Sequence, residues 1–227
     1  MTLLPPTRRC AYCGCAEPAT RDHVVSNALY PVVTPQRGKA QVQRITVPAC
    51  KSCNEGWSGD EAHFRDTLLL AGDPTPTVWT LWEVKARASF LARDGHKRVR
   101  DLADRFVATA SGRHMIYPGR DERVMRIVRK TVRGLCCHHK LRSTVFDGEV
   151  WADVQRFAVP PEWSAGMQAF DADADVLKYQ FGLLKDDPDM ESFWALRFFG
   201  RTPFHCIVYR SVETRKRSER HQAGALR

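Results

Sequence analysis

Cys10-Ala-Tyr-Cys13-Gly14, Thr20-Arg-Asp-His23-Val-Val25 and Val47-Pro-Ala-Cys50-Lys-Ser-Cys53-Asn54 decide how the first quarter of this chain folds. A Cys-x-x-Cys pair presents two thiolates from one tight turn, and two such pairs complete the ligands of a tetrahedral ion. Cys10, Cys13, Cys50 and Cys53 are therefore expected to hold a structural zinc ion. Gly14 relieves the turn after the first pair, and the 36 residues from Gly14 to Ala49 leave room for a looped-out hairpin. Eight cysteines in a small secreted domain would signal disulfides, but in 227 residues with no apolar leader the paired spacing points to metal in a reducing compartment. The cytoplasm is the expected location.

Between and just after the pairs lie a carboxylate, an imidazole and an amide: Asp22, His23 and Asn54. In that order the motifs resemble the HNH nucleases of the ββα-metal class, and more closely the bacterial HNH-like proteins that read C-x-x-C, T-x-D-H-V, V-P-A-C-x-x-C-N and then an acidic pair, here Asp60-Glu61. The resemblance covers residues 10–64 well, and a helix around VRKTVRGL is faintly similar too. It implies a β-hairpin followed by a helix around one catalytic divalent ion, cutting phosphodiester bonds by attack of water. Carried onto this chain, Asp22 and Asn54 would hold Mg²⁺ or Mn²⁺ through hard oxygens. His23 would be the general base. Gln43 stands where the family usually has an Asn, Glu55-Gly56-Trp57 replaces a frequent Lys, and Ser26 stands near a frequent Pro.

Charge is unevenly spread. The net charge is +9, yet residues 76–145 carry sixteen Lys/Arg against six Asp/Glu, whereas residues 146–209 carry five against eleven. Concentrated positive charge beside a nuclease-like motif suggests phosphate contact. The densest stretch, Arg123, Arg126, Arg129, Lys130 and Arg133, decorates a helix whose apolar stripe is Val124, Ile127, Val128, Thr131, Val132 and Leu135. It is the expected DNA-binding face. No recognition motif indicates base readout, so strong sequence specificity is not expected. The same frame would also serve a non-catalytic zinc-dependent nucleic-acid-binding or adaptor protein.

With 43% hydrophobic residues the chain can bury a core, and no apolar run is long enough to cross a membrane. The expected class is α+β: a zinc-stapled ββα-metal module over residues 1–75, an α+β domain with basic helices over 76–210, and a basic, unstructured tail over 211–227. Ser58-Gly59-Asp60-Glu61 fits a capping box opening a helix that Gly72-Asp73-Pro74 stops. Glu61 is read there as a cap rather than a metal ligand, and His63 as an ordinary helix-face residue. Helices follow over residues 78–92, 97–110 and 121–138, then short strands in FDGEVWADV, KYQFGLL, SFWALRFFG and FHCIVYR, which suggest a small antiparallel sheet. Cys15, Cys136, Cys137 and Cys206 are left over as buried thiols. Cys136-Cys137-His138-His139 sits on a helical pattern where neighbours face different ways.

Overall fold

The computed structural model describes residues 9–16, 20–31, 44–108, 114–116, 118–156, 158–172 and 175–225. The expected Gln43 lies outside them. Two short strands come first, β1 (Thr20–His23) and β2 (Thr46–Ala49), then the helices α1 (Lys51–Glu55) and α2 (Ser58–Leu70). A broken helical run follows: α3 (Pro76–Leu81), a π-helical turn at Trp82–Ala86, α4 (Arg87–Leu91) and α5 (Gly95–Ala103). After the hairpin β3 (Phe106–Ala108) and β4 (His114–Ile116) comes the long helix α6 (Glu122–His138). The remainder is β5 (Val150–Val154), α7 (Pro161–Ser164), β6 (Gln168–Ala172), β7 (Leu177–Leu183), β8 (Met190–Phe198), β9 (Thr202–Tyr209) and α8 (Val212–Ala225). The class is α+β.

Strands β5 to β9 form one antiparallel sheet in the order β5-β9-β8-β7-β6. Along β7 the period-two pattern is plain: Leu177, Tyr179 and Phe181 are buried while Lys178 and Gln180 are exposed. The central strand β8 is buried through Ser192, Phe193 and Trp194 consecutively, as expected where both faces are covered. Phe64 of α2 meets the sheet edge-to-face at Phe198, centroids 5.1 Å apart. Helix α6 runs between α2, β2 and β5, and its Val124, Ile127, Val128, Val132 and Leu135 are all buried. The buried apolar side chains on both sides of residues 72–77 join one cluster, from Cys10 to Val208.

Two elements differ from expectation. The helix expected over 97–110 ends at Ala103, because Arg105 turns back to Asp101 and Asp121 and Phe106-Val107-Ala108 pairs with β4. The tail expected to be unstructured forms α8: Ser211 Oγ accepts from Thr214 N at 3.2 Å, Arg215 bridges to Glu219 at 2.8 Å, and Arg217 pairs with Asp189. Arg215 also donates to the carbonyl of Val150 at 2.6 Å. Composition registers the charge of such a segment but not the partners that order it. Among the described residues no helix is long and apolar enough to cross a membrane.

Candidate functional site

Strand β1 pairs with β2 so that Asp22 faces Val47 and His23 faces Thr46. Helix α1 starts one residue after Cys50, which occupies its N-cap. The chain around Gly14 turns with φ +72°, closed by Cys10 donating to the carbonyl of Cys15 and Gly14 donating to that of Cys10, each at 3.0 Å. That turn brings together the sulfurs of Cys10, Cys13, Cys15 and Cys50, all within 4.8 Å of one another. Two sulfurs about 2.3 Å from a tetrahedral zinc lie roughly 3.8 Å apart. Cys13 and Cys50 are separated by 3.7 Å. The cluster can therefore hold a metal ion such as zinc. Cys15, read as a spare thiol, joins the group, and the Cys53 thiol is in hydrogen-bond contact with Cys50 and Cys13, so the four expected cysteines converge on the same spot. Hydrogen bonds, first from Ser52 and then from the Cys53 backbone, lower the Cys50 thiol to about 6, so it is thiolate at neutral pH.

The inner face of the hairpin carries Asp22, only 5% exposed. Its Oδ2 accepts from Tyr12 OH at 2.6 Å and lies 2.9 Å from Lys130 Nζ. Burial, reinforced by the charge of Asp22, pushes the Tyr12 phenol well above its ordinary range, which keeps it a donor. Lys130 Nζ also meets Glu61 Oε1 at 2.7 Å and the carbonyl of His23 at 3.2 Å. Asn54 donates from Nδ2 to Thr20 Oγ1 at 3.3 Å, tying α1 to β1. A magnesium or manganese site needs hard oxygens open to the ion and to water. Asp22 does not fit that role, because its Oδ2 is already bound to an ammonium and a phenol in a closed interior. The expected capping role of Glu61 is also corrected: α2 has no side-chain cap, and the carboxylate reaches across to α6 instead.

The outer face carries His23, on the same side of β1 as Arg21. Arg44 donates to Asn27 Oδ1, so the Asn27 amide nitrogen is the donor to His23 Nδ1, 3.1 Å away. The ring proton then sits on Nε2 and the lone pair on Nδ1. Burial, and after it the charge of Arg44, lowers the His23 pKa below the usual histidine value, so the ring is neutral at pH 7. Arg44 stacks over Tyr30 with its guanidinium carbon 4.1 Å from the ring centre. Arg21 is braced on Thr46 by bonds of 2.9 and 3.0 Å. Both arginines line a cleft of about 520 Å³ that runs to Phe170 on the edge strand β6. Comparison with protein-family models, curated proteins and solved structures finds no match to this chain. The site rests on its own geometry.

The basic helix is not the open cationic face that its sequence suggested. Arg129, Lys130 and Arg133 are 7%, 0% and 4% exposed. Arg129 pairs with Glu122 and Asp147, while Arg133 donates to the carbonyls of Tyr12 and Val145 at 2.6 and 2.8 Å. Arg123 and Arg126 are half-exposed, each 2.7 Å from a carboxylate, Asp101 and Asp60 respectively. The reason is position: α6 is covered by α2 on one side and by the sheet on another, so its cations neutralise neighbours rather than face solvent. Composition also missed His63, which is buried with Nε2 2.5 Å from Asp121 Oδ2. There, burial would raise the Asp121 carboxyl, but the bond and charge of His63 and the charges of Arg105 and Arg123 outweigh it and bring the group down to about 2. His139, from the Cys-Cys-His-His run, packs among Phe170, Phe181 and Tyr179, and Cys136 and Cys206 are fully buried thiols.

Proposed function

We propose that this chain is an HNH-type endonuclease that hydrolyses phosphodiester bonds in DNA, with a zinc-bound cysteine cluster as its staple and His23 as its general base. The observation that carries the reading is the relay from Arg44 through Asn27 to His23, which keeps a neutral imidazole on the outer face of the hairpin with Nδ1 as the acceptor of the Asn27 amide. A water taking the place of the Asn27 amide at Nδ1 gives up a proton to that nitrogen. Its oxygen bonds to phosphorus, the bond from phosphorus to the departing sugar oxygen breaks, and that oxygen takes a proton from solvent. Arg21 lies on the same side of β1 and Arg44 belongs to the relay itself, and in this reading they replace α6 as the residues that hold the phosphate and offset its developing charge. These contacts position the backbone without reading bases.

One observation favours the other reading, a non-catalytic nucleic-acid-binding or adaptor protein on the same frame: Asp22, a ligand in the family, is paired with Lys130. A plasmid-nicking assay with zinc-loaded protein, Mg²⁺ or Mn²⁺ supplied, separates the two. General-base removal typically costs about 10²–10⁴-fold, so His23→Ala is expected to nick at least a hundredfold more slowly. Equal rates for wild type and variant, or no nicking by either, would leave the adaptor reading standing.

A further inference from the structure

An ammonium has three N–H donors and no acceptor. Lys130 Nζ finds three oxygens, Asp22 Oδ2 at 2.9 Å, Glu61 Oε1 at 2.7 Å and the carbonyl of His23 at 3.2 Å. They come from two separate elements, the hairpin strand and the first turn of α2, and converge on a side chain delivered by a third, α6. Lys130 is completely buried, and Asp22 nearly so. A buried charge is tolerated only when it is paired and hydrogen-bonded, and here the cation donates to Glu61 and to the His23 carbonyl and is ion-paired with Asp22. Two carboxylate oxygens and a carbonyl oxygen around one positive centre are also the hard-oxygen donors that a divalent ion selects. The interior therefore has a cation site, and the chain supplies the cation.

We propose that the Lys130 ammonium is the resident cation of the Asp22–Glu61 site and holds Asp22, one of the two side chains to which the HNH reading assigns a divalent ion, so that Mg²⁺ or Mn²⁺ binds at Asp22 only when Lys130 is removed. The inference rests on the HNH frame of that reading for the place of the divalent ion, but its test does not depend on turnover. A divalent ion entering the wild-type site would have to displace an ammonium already paired with both carboxylates or share them with it at like-charge distance. Truncating Lys130 leaves the buried Asp22 and the partly buried Glu61 without their counter-charge, and a divalent ion then relieves both.

The experiment is a Mn²⁺ titration of zinc-loaded protein followed by the electron paramagnetic resonance signal of free Mn²⁺, together with thermal unfolding with and without the ion. Wild type and Lys130→Arg are expected to bind no Mn²⁺ at Asp22. Lys130→Met is expected to melt lower than wild type, to bind about one Mn²⁺ per chain at least a hundredfold more tightly than wild type, and to regain stability on binding. Adding Asp22→Asn should abolish that binding. The proposal is overturned if wild type takes up one Mn²⁺ that Asp22→Asn removes, a measurement that needs no folded Lys130 variant. It is equally overturned if folded Lys130→Met binds none. Loss of nicking in His23→Ala alters neither result, so the inner-site inference and the nuclease reading fail separately.

Discussion

At the scale of single residues, the chemistry of His23 is set by a neighbour that does not touch it. Arg44 commits the Asn27 carbonyl oxygen, the amide nitrogen is thereby turned toward Nδ1, and the imidazole proton is left on Nε2. The same guanidinium opposes protonation of the ring, second only to burial. A base must be unprotonated to act, so activity should rise with pH through the His23 pKa and be full above it. The lowered value places that rise below about pH 6.5, the ordinary histidine range. Arg44→Ala removes a positive charge beside the ring, protonation becomes easier, and the rise should move to higher pH. A nuclear magnetic resonance titration of the His23 ring reads the shift directly, and the acid limb of the nicking rate should follow it. A titration that stays in place or moves lower in Arg44→Ala would show that Arg44 does not set the state of the ring.

At the scale of elements, α6 works as a post against which the hairpin and its turn are packed, and closeness is its requirement. A Cβ at Gly134 would stand 2.8 Å from Val24 Cγ2 and 3.3 Å from Tyr12 OH, and both residues are buried too completely to give way. Gly134→Ala gains helix propensity of about 1 kcal/mol, but overpacking of this kind typically costs about 1–3 kcal/mol. A lower melting temperature is the expected balance. Gly59, inside α2, supplies the contrast, because a Cβ there meets nothing within 4 Å. Gly59→Ala should therefore hold or raise the melting temperature. If both variants shift alike, close approach of α6 is not what Gly134 provides. The period of α6 was readable from sequence, since its apolar stripe recurs at helical spacing. What its cations face was not: Lys130 meets a carboxylate 69 residues away and a carbonyl 107 residues away. A helical pattern separates apolar from polar positions, but a buried cation with distant partners looks the same as a solvated one.

At the scale of the whole molecule, local spacing explains what could be read and distance explains what could not. The cysteine pairs, the Asp22-His23 step and the alternation of β7 are written within a few residues of each other. Cys15 escaped because its approach to Cys50 needs the left-handed turn at Gly14, and α8 escaped because its anchors, Val150 and Asp189, lie in other elements. One consequence concerns the cysteine cluster itself. The β1–β2 hairpin has four residues per strand, and isolated two-stranded hairpins are marginal in water. The five-stranded sheet, by contrast, is held by its own buried aromatic side chains and by α2 and α6. Removing the metal should therefore loosen the hairpin without melting the sheet. Chelation is expected to release about one zinc per chain and to cut hydrogen-exchange protection at the amides of Ala11 and Val24, which bond to Pro48 and Ile45, by at least about tenfold, roughly 1.4 kcal/mol. Protection along β7, β8 and β9 should hold. Hydrogen exchange followed by mass spectrometry resolves the two regions, and a uniform loss across hairpin and sheet would mean that the cysteine cluster supports the entire core rather than the hairpin beside it.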